Sequence, residues 1–136
     1  MNQTDVRRGT GVWIRKEGKL LLGRRKSARG DGTWYPPGGH VEKNETVEDC
    51  CVREVLEEVG LTIANIRLMK VMEDFNPEVG VTYVTSLFAA DWNSGDVVMN
   101  DGEFTEVRWF EWGSLPEPLF RPTSQFVALG INPLEF

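Results

Sequence analysis

The chain has 136 residues, of which 40% are hydrophobic and 26% charged, with a formal net charge of -6 and a sequence pI near 4.8. That length fits one domain over residues 1–136 with a substantial core. The acidic balance argues against a sequence-independent grip on a nucleic-acid backbone, yet leaves room for a small anionic ligand whose charge a metal ion would bridge.

The N-terminus, Met1-Asn2-Gln3-Thr4-Asp5, is polar and carries no signal-peptide segment. The first nine residues read as a loose arm. Gly11-Val12-Trp13-Ile14 and Lys19-Leu20-Leu21-Leu22 are predicted strands joined by a turn at Lys16-Glu17-Gly18. Arg24 to Gly32, basic and glycine-containing, is a predicted loop, and Trp34-Tyr35 leads into the turn signal Pro36-Pro37-Gly38-Gly39. A helix is predicted from Thr46, which has capping-box spacing to Asp49, through Val59, with Gly60 placed to end it in a left-handed conformation. Strands are predicted over Ile66–Met72, Val81–Ala90 and Val107–Trp112, and a short helix over Thr123–Leu129 before Gly130. No apolar run approaches the roughly 18 residues of a membrane helix. The adjacent Cys50 and Cys51 read as reduced thiols, so a cytoplasmic protein without membrane contact is expected. Strands outnumber helices, which predicts an α/β fold with a mixed sheet covered by helices.

On a helical wheel, Val47, Cys51, Val52, Val55, Leu56 and Val59 fill one broad side, expected to pack on the sheet. Glu54, Glu57 and Glu58 crowd beside it at spacings i, i+3 and i+4. They stand near the helix C-terminus, where the macrodipole disfavours negative charge, and no lysine of the helix compensates them. A bound divalent cation accounts for such a patch, since magnesium prefers oxygen ligands and is often shared between carboxylates and substrate phosphates. From the wheel alone, a solvated acidic face accounts for it equally well. Taken alone, Pro36-Pro37-Gly38-Gly39 is an ordinary turn, although its bare backbone and carbonyls suit a ligand or metal.

The joint pattern separates these readings. Five residues run from Gly39 to Glu45, and seven more lead to Arg53-Glu54-Val55-Leu56-Glu57-Glu58-Val59-Gly60-Leu61. The chain here resembles the Nudix hydrolase family, whose signature is G-x5-E-x7-R-E-U-x-E-E-x-G-U, with U a bulky aliphatic residue, and every specified position matches. The flanks Gly11 to Arg25 and Val107 to Pro116 extend the resemblance over most of the chain.

The resemblance implies a Nudix α/β/α sandwich with the box as a loop-helix-loop, and magnesium (manganese as a substitute) as cofactor. It implies Glu57 and Glu58 as principal metal ligands, Glu54 as a further ligand or the group that activates water, and the Gly38 carbonyl as part of the metal shell. Arg53 would hold the box glutamates in place, with Glu45, Gly39 and Gly60 structural. A distant carboxylate is expected to assist, with Glu103 favoured over Glu106. Arg24 and Arg25 are candidates near the phosphates, alongside Gly38 and Gly39. Trp34 and Tyr35 are candidates for a base pocket, with packing expected for one of them, and Phe75, Tyr83 and Phe120 are weaker ones.

The reaction implied is attack of water on a diphosphate linkage. The stretches Leu21-Leu22-Gly23-Arg24-Arg25, Pro37-Gly38-Gly39-His40-Val41-Glu42 and Pro118-Leu119-Phe120 resemble one branch of the family. That branch acts on oxidised or modified purine nucleoside triphosphates, such as 8-oxo-dGTP, and on dihydroneopterin triphosphate, giving a monophosphate and pyrophosphate. Pro77, 16 residues beyond Leu61, instead resembles the ADP-ribose pyrophosphatase branch. A non-catalytic Nudix-fold binding domain and an enzyme acting on capped RNA are more remote, because all box glutamates are present and the chain is acidic. The expected partner is thus a small nucleotide, without nucleic acid, and the resemblance is compatible with a homodimer.

Overall fold

The computed structural model describes residues 5–27, 30–100 and 102–136. Strands β1 (Asp5–Lys16), β2 (Lys19–Arg25) and β3 (Trp34–Tyr35) precede helix α1 (Val47–Val59). Then come β4 (Thr62–Asn76), β5 (Val81–Ser94), β6 (Phe104–Phe110) and helix α2 (Arg121–Ala128). The six strands form one mixed sheet in the order β3-β2-β1-β5-β4, with β6 also paired to β2. The fold is the expected mixed α/β architecture with a helix on each face. Val12 and Ile14 of β1 pack with Cys51, Val55 and Val59 of α1, whereas Trp13 packs with Phe126 of α2. The alternation of one strand thus feeds two cores, as period-2 side-chain direction requires.

Two features of the sheet create the site. β1 and β5 run parallel from Asp5↔Val81 to Arg15↔Asp91. β1 and β2 pair only at their hairpin end, Arg15↔Leu20 and Lys16↔Lys19, and then diverge. Into the gap runs the loop after β3. Thr10 donates its N–H to the Gly39 carbonyl (2.8 Å) and Val12 donates to that of Pro37 (2.7 Å).

Several boundaries differ from expectation. Residues 1–4 of the predicted arm lie outside the described residues, but Asp5 to Gly9 are strand rather than arm, held by parallel pairing with β5 more than 70 residues away. β4 and β5 are longer than predicted and form a long hairpin. β6 begins at Phe104, three residues earlier than predicted, and ends at Phe110, two residues earlier, because it follows β2 from Arg25↔Phe104 to Leu20↔Phe110; Trp112 belongs to a short 3-10 turn. No described helix is long and apolar enough to cross a membrane.

The apolar face of α1 is also corrected. Val52 (42% exposed) and Leu56 (50%) face outward, while Cys50 and Glu58 are buried with Cys51, Val55 and Val59. The wheel counted only the sheet as a partner. The Pro36–Gly39 loop lies against the neighbouring side of the helix and buries Cys50 and Glu58 there.

Candidate active site

The loop and α1 are locked by short-range chemistry. Thr46 accepts the Asp49 N–H (3.0 Å) and caps the helix as its spacing predicts. At the other end Gly60 adopts φ 71°, ψ 16° and donates to the Leu56 carbonyl, a left-handed cap that glycine adopts without strain. Cys50 Sγ lies 3.7 Å from the Gly39 carbonyl, 3.5 Å from that of His40 and 3.4 Å from the Thr10 hydroxyl. The small thiol therefore lets helix, loop and β1 meet. Burial raises the Cys50 thiol and pushes Cys51 up to about 12, so neither supplies a thiolate nucleophile at neutral pH.

Arg53 is the hub. Its Nε donates to Glu45 (2.7 Å) and its Nη2 to Glu45 (3.0 Å) and the His40 carbonyl (3.0 Å). Its Nη1 reaches Glu54 at 2.8 Å and Glu57 at 3.2 Å. The planar fork therefore gathers three box carboxylates and one loop carbonyl. The hydrogen bond from Arg53 is the main reason that the Glu45 carboxyl falls to about 2, and Glu45 in turn raises Arg53 above its ordinary value. Glu45 also accepts the Glu42 N–H (3.0 Å), which ties the loop to the helix.

Close approach explains the two glycines. A Cβ on Gly38 would collide with the Thr10 carbonyl, and one on Gly39 with the Glu54 carboxylate. Glu58, 1% exposed, lies 3.5 Å from the Gly38 N–H. The carbonyls of Pro37 and Gly39 accept from β1, and alternation leaves the Gly38 carbonyl with no hydrogen bond among the described residues.

These donors fit a hard divalent cation. Glu54 and Glu57 meet at one Arg53 nitrogen, the carbonyl of Gly38, next to the Gly39 that touches Glu54, accepts no hydrogen bond among the described residues, and all the atoms are oxygens. Among the described residues no three His, Cys, Asp or Glu side chains form a closed metal cage. Magnesium commonly uses one or two carboxylates plus substrate phosphates and water, so the donor set suits that mode.

Next to the box is a cavity of about 450 Å³. Gly38, Gly39 and Glu54 form one end, and Tyr35, Phe120, Arg25 and Glu103 form a wall. The Arg25 guanidinium lies 4.6 Å from the Tyr35 ring and 4.2 Å from that of Phe120. Tyr35 donates its hydroxyl to Glu103 at 3.4 Å. Burial first, then the Glu58 charge, raises the Tyr35 phenol above its ordinary range, with Glu103 adding and Arg25 opposing. Tyr35 thus remains a donor, and it senses both a box glutamate and the distal one. Glu106 pairs with Arg108 and does not line the cavity.

The sequence candidates therefore divide. Glu54, Gly38, Gly39, Tyr35, Arg25 and Glu103 come together around one space, with Glu57 and Glu45 joined to it through Arg53. Arg24 does not line the cavity; its Nε donates to the Gly32 carbonyl (3.2 Å) in an exposed loop. Trp34 is buried against Phe110 (ring centroids 5.2 Å) and takes the packing role expected of one of the aromatic pair. Tyr83 and Phe120 line the cavity, whereas Phe75 is 54% exposed and does not. Sequence reasoning missed Arg7, Trp13, Met72, Thr85 and Thr123, which complete the walls. Only the register Arg7↔Tyr83↔Asp74 and Gly9↔Thr85↔Met72 brings residues of β1, β5 and β4 to this space, and no local motif marks them.

Comparison with known proteins shows the family and the fold. The NUDIX domain family matches residues 5–129. The NAD-capped RNA hydrolase NudC of Shigella dysenteriae is 33% identical over 105 residues, covering 77% of this chain and 39% of that protein; its Vibrio cholerae counterpart is 32% identical over the same length. The chain thus matches well under half the length of these relatives. The crystal structure of MutT NUDIX hydrolase from Burkholderia pseudomallei superposes with a TM-score of 0.83 at 30% identity, covering 91% of this chain and 97% of that one. A MutT protein structure from Methanosarcina mazei, at 23% identity and a TM-score of 0.72, shares the fold.

Proposed function

The chain belongs to the Nudix family of hydrolases, and from that premise we propose that it is a magnesium-dependent nucleoside-triphosphate pyrophosphohydrolase. Its substrate is a modified purine nucleotide such as 8-oxo-dGTP, or dihydroneopterin triphosphate. The products are a monophosphate and pyrophosphate. Manganese would substitute for magnesium. The observation that carries this reading is one continuous cavity with Glu54 and the bare Gly38-Gly39 backbone at one end and Tyr35, Phe120 and Arg25 along its wall.

In this reading Glu57, Glu58, Glu54 and the Gly38 carbonyl would hold the cation, with Glu103, on the same cavity, as the assisting distal carboxylate. Bound there, the ion would neutralise charge on the phosphate oxygens and lower the pKa of a water. Glu54, held against Gly39, takes the proton from the attacking water through its carboxylate. Water adds to one phosphorus of the diphosphate linkage and the bridging P–O bond breaks. Arg53 keeps Glu54 and Glu57 in register and does not touch substrate. Glu58 anchors the Gly38 N–H from within the helix, alongside its role as a ligand candidate. Arg25, on the cavity wall, offers its charge to the outgoing phosphates.

The relatives named for NAD-capped RNA favour a second reading, cleavage at the pyrophosphate of an NAD-type end. The net charge of -6 gives little grip on the RNA that follows such a cap. Pro77, the residue that suggested ADP-ribose, stands in the exposed turn between β4 and β5 and lines no part of the cavity. A magnesium assay with 8-oxo-dGTP, ordinary dNTPs, dihydroneopterin triphosphate, ADP-ribose and NAD separates these readings. Pyrophosphate with a monophosphate from a triphosphate supports the proposal. AMP from ADP-ribose or NAD, with triphosphates untouched, refutes it.

A further inference from the structure

The distal carboxylate stands outside the reach of the box. Arg53 sends its hydrogen bonds to Glu45, Glu54, Glu57 and the His40 carbonyl, and Glu103 is not among them. Glu103 directly precedes β6 and is exposed, yet it lines the same cavity as Glu54 and Gly38. A long, exposed side chain has rotamer freedom to lose before it acts at one place. The Glu103 carboxylate therefore needs a hold of its own.

Tyr35 supplies that hold at two points. Its hydroxyl donates to Glu103 Oε2 at 3.4 Å, and its ring lies 5.2 Å from that of Phe104, the residue after Glu103. Gly23 pairs with Tyr35 in the sheet, and a Cβ on Gly23 would strike the Phe104 ring. The bare backbone at Gly23 thus lets Phe104 lie against Tyr35. The backbone of Glu103 is fixed as well, since its carbonyl accepts the Lys26 N–H (2.9 Å). The Tyr35 ring is itself confined, with Phe120 at 5.8 Å and the Arg25 guanidinium at 4.6 Å. A tyrosine has only two side-chain torsions, so with its strand paired and its ring enclosed the phenol oxygen has little freedom. At neutral pH that phenol is a donor, and a hydrogen bond to an ionised carboxylate is stronger than one between neutral groups. A contact of 3.4 Å is long for such a bond, and catalytic contacts of this kind commonly shorten in the substrate complex.

We propose that Tyr35 is a positioning residue for the reaction, whose hydroxyl orients the Glu103 carboxylate on the cavity wall. The inference rests on the reading of Glu103 as the assisting carboxylate. Because Tyr35 acts through Glu103, removing its hydroxyl should lower kcat and leave KM nearly unchanged, whereas loss of a binding contact would raise KM.

The test is a double-mutant cycle on triphosphate hydrolysis with Tyr35→Phe, Glu103→Gln and the double variant. Tyr35→Phe keeps the ring and should lower kcat about tenfold, and Glu103→Gln should lower it about 10²-fold. The double variant should be no slower than Glu103→Gln, because the carboxylate that the hydroxyl orients is gone. Losses that multiply overturn the inference, as does a Tyr35→Phe loss confined to KM. Wild-type kcat in Tyr35→Phe beside a slow Glu103→Gln overturns the inference and spares the reading of Glu103. Wild-type kcat in both overturns that reading and the inference with it. A second measurement needs no turnover. In protein labelled with 13C at its glutamate carboxyls, the Glu103 resonance, assigned by its absence in Glu103→Gln, should shift in Tyr35→Phe while those of Glu54 and Glu57 stay in place. A Glu103 resonance that ignores the loss of the hydroxyl overturns the inference. A Glu103 shift in a protein that hydrolyses no triphosphate supports the contact and overturns the reaction beneath it.

Discussion

The box unit from Gly38 to Gly60 and the far walls of the cavity border the same space but are assembled in opposite ways. The box is local. Arg53 reaches Glu45, Glu54 and Glu57 within eight residues of itself, and Thr46 and Gly60 fix the ends of the helix that presents them. The walls are assembled over long range. Arg7, Tyr83 and Asp74 share a row only because β1 pairs with β5 and β5 with β4. Reaction chemistry is thus written in spacing, whereas recognition is written in register. Substitutions in the two regions should consequently fail in different ways, the first in turnover and the second in affinity.

The largest expected effect is in the box. Glu57→Gln should cut kcat by about 10²–10⁴-fold, and because Glu57 is largely exposed the thermal midpoint should hardly move. A variant that turns over normally would remove Glu57 from the metal site. On the other side of the comparison, Phe120→Ala removes one of the two rings beneath Arg25. Steady-state kinetics should show KM raised about tenfold with a smaller change in kcat; a loss confined to kcat would erase the division between the regions. Gly60→Ala should leave KM intact and lower stability by about 1–3 kcal/mol in denaturant titrations, from the left-handed backbone and the clash with Val98. No loss of stability would mean that the helix end reorganises freely.

The smallest effect concerns acid. The Glu45 carboxyl is lowered from 4.5 to about 2 in the folded chain. Its contribution to stability is therefore complete above about pH 4.5 and is lost as pH falls through about 2. Thermal melts across that window should show a steeper acid loss for the wild type than for Glu45→Gln. Parallel curves would show that the bond from Arg53 does not set the carboxyl.

How much was legible in the sequence follows the same division. The helix from its Thr46 cap to Gly60 and the strand at Gly11–Ile14 are read from neighbouring residues, and they lie where spacing places them. The outward turn of Val52 and Leu56 was hidden, because a wheel does not show that a loop takes one side of the helix and buries Glu58 there. Asp5 to Gly9 looked like an arm because their polar sequence carries no alternation, and only the parallel partner β5 makes them strand. Arg24 and Arg25 were indistinguishable as neighbours in a basic run. An irregularity in the β2–β6 pairing falls between them, and only Arg25 reaches the cavity. Trp13 reads in the sequence only as a strand residue, since its burial against the aromatic rings of Trp112 and Phe126 comes from elements far along the chain.

At the centre of the proposed function is a divalent cation that the oxygens around Arg53 would hold for diphosphate hydrolysis. Its most direct test is pyrophosphate release from 8-oxo-dGTP and dGTP measured against magnesium concentration, with circular dichroism recorded on the same samples. Release should rise and saturate with magnesium and disappear in excess chelator while the spectrum stays folded. Release undiminished in chelator would contradict it.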